Sequence, residues 1–204
     1  MVSADRILTE NQLIRLFKRM RLEKDKSLAI IKGSPKRNPA EVRTVVDYFL
    51  FTLISQTGLR ISEALKLEKE DIHEDFLVVR AEISKNGKKG TVYFGPKTRA
   101  IIDEFLAIKK EVLGRDHWNP VFSLNGRVPS RSHMHSRFKS WLRLTELSAD
   151  LSIHSLRHSY GTLCLDKGLS LTFVRDNLRH SNIAVTSQYL HLTRANRDKV
   201  KDLF

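Results

Sequence analysis

Arginine, histidine and tyrosine recur in this chain at spacings that suit phosphate chemistry. Arg60 sits in Thr57-Gly-Leu-Arg-Ile-Ser-Glu63, His154-Ser-Leu-Arg157-His158 opens the last third, and Tyr189 follows His180. A guanidinium is planar, permanently charged and grips two oxygens at once. Paired arginines can therefore neutralise a phosphodiester as charge builds on its non-bridging oxygens, with no metal ion. His154 and Arg157 are three residues apart and share a face if the segment is helical. An imidazole there can take a phenol proton or hydrogen-bond a phosphate oxygen. A phenol, with an ordinary pKa of about 10, is a useful nucleophile only beside cations or a base.

Each residue also has an ordinary reading. Arg60 can be a surface arginine paired with Glu63, and Tyr189 a core aromatic of an amphipathic helix. His154 and His158 have the i, i+4 spacing of a helical zinc pair. Ser155, however, stands where a zinc hydrolase wants glutamate, and no third ligand is evident. No metal and no cofactor are expected.

Composition narrows the partner. In 204 residues, 36 Lys+Arg against 23 Asp+Glu leave a formal charge of +13. That excess favours an anionic partner, nucleic acid before an anionic membrane or an acidic protein. The charge is spread over Lys85-Lys89, Lys97-Arg99, Arg127-Arg143 and Arg194-Lys201, as suits a folded body that surrounds a duplex. Val45 to Ile54, the longest apolar stretch, is too short to span a bilayer, and Asp47 and Thr52 interrupt it. The first residues lack a secretory signal, and Cys164, the sole cysteine, excludes an internal disulfide. A cytoplasmic protein without membrane contact is expected.

The elements that must position these residues are mostly helical. Thr9 caps a helix to Arg21, with Leu13, Ile14, Leu16, Phe17 and Met20 on its stripe. After a loop holding Gly33, Pro35 and Pro39, Asn38 caps a helix over Pro39–Gln56. Glu41 reads as its capping-box acid and Gly58 as its left-handed terminator. A short helix over Ser62–Leu67 follows. Phe76-Leu-Val-Val and Thr91-Val-Tyr-Phe read as a β-hairpin around the basic turn Lys85-Asn-Gly-Lys-Lys-Gly. Lys97–Val112 is helical, Asn125-Gly-Arg-Val-Pro is a turn, and Ser132 caps a helix bearing Phe138, Trp141 and Leu142. From Ile153 the pattern runs helix, break at Gly168, helix, short turn, helix. The fold class is mainly α with a small antiparallel β-sheet (α+β), read as a single domain over 1–204.

The ordered set, with its flanking Thr-Gly-Leu-Arg, His-x-Leu-Arg-His and Tyr-Leu-His, resembles the tyrosine recombinase/integrase family across nearly the whole chain. The resemblance implies a DNA breaking-rejoining fold, with catalytic Arg60, Lys85, His154, Arg157, His180 and the nucleophile Tyr189. Glu63 would hold Arg60 in place. Lys85, the first lysine before the small turn, would protonate the departing 5′-oxygen, with Lys88 and Lys89 as competing candidates. His158 would be a structural neighbour. Lys88, Lys89, Arg131, Arg137 and Lys139 are candidate DNA contacts. The implied reaction is two transesterifications through a 3′-phosphotyrosyl link, on double-stranded DNA, by a homo-oligomer (a tetramer) assembled on that DNA.

The resemblance also implies what stands beside the pattern. Because it starts so early in the chain, the family's N-terminal core-binding (SAM-like) domain is expected to be absent. Val200, Leu203 and Phe204 would form an apolar end that docks on a neighbouring protomer. In one place the chain departs from the family, which usually has Leu-Gly-His where Leu178-Arg179-His180 stands. Glycine would ease a left-handed turn there.

Three rival readings keep the basic charge. A type IB topoisomerase would carry lysine at His154. A non-catalytic helix-turn-helix binder fits Ser170–Leu190 but needs none of Arg60, Lys85, His154 or Arg157 in this order. A degenerate recombinase is the third.

Overall fold

The structure, a computed structural model, describes residues 4–34, 38–114, 119–123 and 127–190. The basic segment 194–201, the apolar end at Val200, Leu203 and Phe204, and Asn125 and Gly126 of the expected turn lie outside them.

Helix α1 spans Glu10–Gly33. Thr9 caps it, its hydroxyl accepting from Gln12 N–H while the Gln12 side chain accepts from Thr9 N–H. The helix runs well past the expected end at Arg21. Its buried face continues from Leu16 and Met20 through Lys24, Ser27 and Ile31, two of which are polar, so the apolar stripe fades. Partners satisfy those polar groups: Lys24 Nζ donates to Glu104 at 2.7 Å, and Ser27 Oγ donates to Glu41. Glu41 thus serves α1 and does not close a capping box.

Helix α2, Pro39–Thr57, carries the core, with eleven buried residues from Val45 to Thr57. Asn38 caps its start by accepting from Ala40 N–H at 2.9 Å, and Gly58 ends it at φ +68°. A Cβ at Gly58 would lie 2.6 Å from Leu178, so both the turn and its packing require glycine. Phe49 stacks on Phe105 and Phe105 on Phe122, with centroids 4.8 and 5.0 Å apart. The short α3, Ile61–Ala64, follows Gly58 closely.

Strands β1 (Phe76–Val79) and β2 (Gly90–Tyr93) form the antiparallel hairpin, pairing Phe76 with Tyr93 and Val79 with Gly90. Residues 80–89 connect them and carry Lys85. Helix α4, Pro96–Ala107, continues as a π-helical turn over Ile108–Val112. Helix α5, Arg131–Leu144, is capped by Ser130, whose hydroxyl accepts from His133 N–H at 3.1 Å. The expected cap, Ser132, lies inside the helix. Helices α6 (Ile153–Asp166), α7 (Leu171–Leu178) and α8 (Ile183–Ser187) complete the described fold, broken at Gly168 as expected. Leu165, Val174, Leu178 and Tyr189 form a small second core beside the main one. Among the described residues no helix is long and apolar enough to cross a membrane.

A buried carboxylate ties α5 to α2. Asp47, 1% exposed, accepts from both Arg137 (Nε at 2.8 Å) and Trp141 (Nε1 at 2.8 Å). Removing the carboxylate strands a guanidinium and an indole N–H, a loss that burial makes costly. Asp47→Ala should destabilise the fold by about 3 kcal/mol, read as a lowered urea midpoint with an unchanged slope.

Candidate active site

Arg157 lies on α6, is 4% exposed and donates to the carbonyls of Gly58 and Leu178. These carbonyls end α2 and α7, so two negative helix termini converge on one guanidinium. Burial, with Arg60 and Arg179 nearby, draws its pKa down to about 9, which leaves it cationic at neutral pH. Arg60 is the cap residue of α3. Glu63 accepts from its backbone N–H at 2.8 Å and from its guanidinium at 2.9 Å. Glu63 is completely buried.

Arg179 approaches the other side of the same carboxylate, donating through Nη2 to Glu63 Oε2. It ends α7 in the left-handed conformation, at φ +55° and ψ +48°, where glycine was the easier residue. The turn therefore forms with a side chain present. That side chain lies over Gly90 at the start of β2, where an added Cβ would stand 2.5 Å from Arg179 Cδ. Asn177 adds a second clasp on the hairpin: its side chain accepts from Tyr93 N–H at 2.6 Å and donates to Tyr93 C=O at 3.2 Å. An amide side chain here does what a neighbouring strand would do.

Tyr189 follows α8 and is 1% exposed. Its ring packs in the second core, against Gly161 of α6, where an added Cβ would meet Cε2 at 3.0 Å. A mid-helix glycine costs roughly 1 kcal/mol relative to alanine, and here it makes room for the tyrosine ring. The hydroxyl stands 2.9 Å from His158 Nδ1. Burial raises the phenol's pKa, while Arg157 and Arg60 act to lower it. His180 lies beside the same ring at 6.2 Å, its Nδ1 bonded to Thr186 Oγ1 at 2.8 Å. Burial, then Arg157 and Arg60, pushes its pKa down to about 3.

His154, one turn before His158 on α6, is open to solvent at one edge, its ring 6.3 Å from that of His135. Burial of its ring, then His135, Arg157, Arg60 and Lys85, lowers its pKa. Lys85 itself is exposed on the hairpin loop with its charge felt at His154. Arg60, Lys85, His154, Arg157, His180 and Tyr189 thus meet in one region although their positions span most of the chain. Among the described residues no group of three His, Cys, Asp or Glu could hold a metal ion.

Of the candidate DNA contacts, Lys88, Lys89 and Arg131 are exposed. Arg137 is held by Asp47, and Lys139 Nζ donates to the carbonyls of Leu151, at 2.7 Å, and Ala149. Sequence reasoning left His158, Thr186 and Asn177 without a place in the site. His158 had a signal, its i, i+4 spacing from His154, but Asn177 and Thr186 had none.

The contact between Arg179 and Gly90 is testable by a double-mutant cycle. Gly90→Ala should cost about 1 kcal/mol in the parent, because the guanidinium's hold on Glu63 keeps Cδ in place. The cost should vanish in an Arg179→Gly background, measured by urea unfolding.

Comparison with known proteins places this arrangement. The phage integrase family matches residues 9–196. A tyrosine recombinase XerD from Corynebacterium glutamicum is 31% identical over 164 residues, covering 80% of this chain and 53% of the relative. A tyrosine recombinase XerD from Shewanella oneidensis is 31% identical over 160 residues, covering 78% and 52%. The chain therefore spans about half the length of these curated relatives. The crystal structure of XerA recombinase superposes with a TM-score of 0.72 at 19% identity, over 96% of this chain and 62% of that one. XerH, in a post-cleavage complex with palindromic difH substrate, gives 0.68 at 18% identity, over 98% and 53%. With the fold shared and the family matched along nearly the whole described length, the chain belongs to the phage integrase family of tyrosine recombinases.

Proposed function

We propose that this chain is the catalytic part of a site-specific recombinase that cuts and rejoins double-stranded DNA through a 3′-phosphotyrosyl link. The observation that carries the reading is a tyrosine hydroxyl held within the electrostatic reach of two arginines, Arg60 and Arg157, that are themselves fixed by the fold. The names of the relatives support it, as does the DNA-bound state of solved relatives such as XerH.

In this reading a scissile phosphate seats against Arg60 and Arg157, with His154 and His180 contributing hydrogen bonds to its oxygens. Tyr189 Oη forms a bond to phosphorus as the P–O5′ bond breaks. Lys85, on its exposed loop, supplies the proton to the leaving 5′-oxygen. A 5′-hydroxyl from a partner duplex then reverses the step, so the bond energy is kept and no cofactor is consumed. Lys88, Lys89 and Arg131 contact flanking phosphates, while Arg137 and Lys139 brace α5 behind them. A homo-oligomer, a tetramer on paired duplexes, brings the second duplex into place. The dimeric, DNA-bound state in which a lambda integrase has been solved supports assembly on DNA.

The test is a pool of nicked duplexes with randomised flanks, in which cleavage traps the covalent adduct. The parent protein should give an adduct that survives denaturing electrophoresis, and Tyr189→Phe should give none. An equal adduct from Tyr189→Phe would end the assignment. Arg157→Lys, which loses the fork but keeps the charge, should slow adduct formation by about 100-fold. Binding to the captured site should weaken by at least about 100-fold between roughly 50 and 200 mM salt, as counterion release requires.

A further inference from the structure

We infer that His158 is the base that takes the proton of Tyr189 as the phenol attacks phosphorus, an inference that rests on the strand-transfer reading above. The family resemblance makes this histidine a structural neighbour, but the geometry gives it the nucleophile. His158 Nδ1 stands 2.9 Å from Tyr189 Oη. The other two imidazoles of the site are placed for different work. His180 has Nδ1 on Thr186 and lies nearly parallel to the tyrosine ring, at 28°. His154 forms no hydrogen bond to Tyr189 among the described residues.

The helix explains the division. His158 is the next residue after Arg157, so the two side chains leave α6 about 100° apart. Arg157 turns inward to the carbonyls of Gly58 and Leu178, and His158 turns to Tyr189. Behind His158 opens a cleft of about 410 Å³, lined also by Asp5, Arg6, Asp150 and His154. Tyr189 is sealed from solvent, so its proton needs a carrier, and His158 connects the sealed hydroxyl to an open, polar-lined cleft.

The groups facing His158 are His154 and Arg157 on its own helix, Asp5 and Arg6 from the N-terminal turn, Asp150 across the cleft, His180 beside the tyrosine ring, and Tyr189 itself. Burial, then His154, Arg157 and Arg6, brings its pKa down to about 4, so the ring is neutral and able to accept at neutral pH. A bound phosphate offsets the charge of Arg157 and makes the imidazole more basic as the bond forms. The Oη–P bond forms as the P–O5′ bond breaks, Lys85 protonates the leaving 5′-oxygen, and the phenol proton passes to Nδ1. The ring, protonated on both nitrogens, holds that proton or releases the one on Nε2 to cleft water. On rejoining, Tyr189 recovers a proton from His158.

His158→Asn tests this, because its carboxamide oxygen can accept the phenol's hydrogen bond but cannot take its proton. In the nicked-duplex assay it should bind DNA as the parent does and form the adduct about 100-fold more slowly. Replacing Tyr189 by difluorotyrosine, a more acidic phenol, should restore much of the lost rate in His158→Asn and change the parent little. Adduct formation at the parent rate would overturn the proposal, as would a slow variant that difluorotyrosine does not rescue, since a packing role predicts that result. Independently of any variant, nitrogen NMR of the parent protein should find Nε2 protonated and Nδ1 the acceptor. The opposite tautomer would overturn the proposal. If the parent binds the duplexes but forms no adduct, the strand-transfer reading itself falls and this inference with it. A parent adduct with an unaffected His158→Asn rate removes this inference alone.

Discussion

Arg60, Arg157 and Arg179 are crowded into one small region with a single buried carboxylate, Glu63, among them. Like charges gathered away from water repel strongly, and the fold has to compensate before any ligand arrives. Glu63 takes two of the guanidiniums, and the carbonyl ends of α2 and α7 take the third. The compensation is incomplete, and the residual positive charge is what would seat a phosphate in the proposed reaction. Removing water from that seat strengthens each interaction made there. The same crowding keeps His158 and His180 neutral and lowers the pKa of His154, because a further positive charge on any imidazole meets both burial and guanidinium.

The tyrosine shows how one residue serves both packing and chemistry. Its ring is a member of the second core, with Leu165, Val174 and Leu178, so the ordinary reading of an aromatic on an amphipathic helix is true of the ring. Only the hydroxyl leaves that apolar setting, and it does so toward His158. A phenol fixed by ring packing has few positions to search, which lowers the entropy lost on reaching an attack geometry. Gly161 belongs to the same device, since a side chain there would press on the ring.

Helix α7 links the arginine cluster to the hairpin. Asn177 pairs with the backbone of Tyr93, and Arg179, two residues on, spans from Gly90 to Glu63. The strand that leads back to the Lys85 loop is thereby registered against the carboxylate that orients Arg60. In the left-handed conformation of Arg179 the cost of a Cβ is set against a buried ion pair, a balance that glycine at this position would not offer.

Local structure was largely legible in the sequence because caps and terminators act over three or four residues. Thr9, Asn38 and Gly58 stand at helix ends as expected, and the hairpin forms from the two expected runs, its second strand beginning one residue early at Gly90. Legibility failed where a polar side chain is buried against a distant partner. The second half of α1 was lost because Lys24 and Ser27 interrupt its apolar stripe, and their partners Glu104 and Glu41 lie on other helices. Arg137 looked like a free basic residue until Asp47, 90 positions away, claimed it. The site divides in the same way. Residue types in order carried the resemblance to the family, which the family match bears out, and with it the proposed set Arg60, Lys85, His154, Arg157, His180 and Tyr189. Only the tertiary structure decided that Arg179 shares Glu63 across 116 positions and that His158 is the imidazole on the tyrosine hydroxyl. Periodicity and spacing report which face a side chain occupies, whereas the partner it meets there is chosen by how the helices pack.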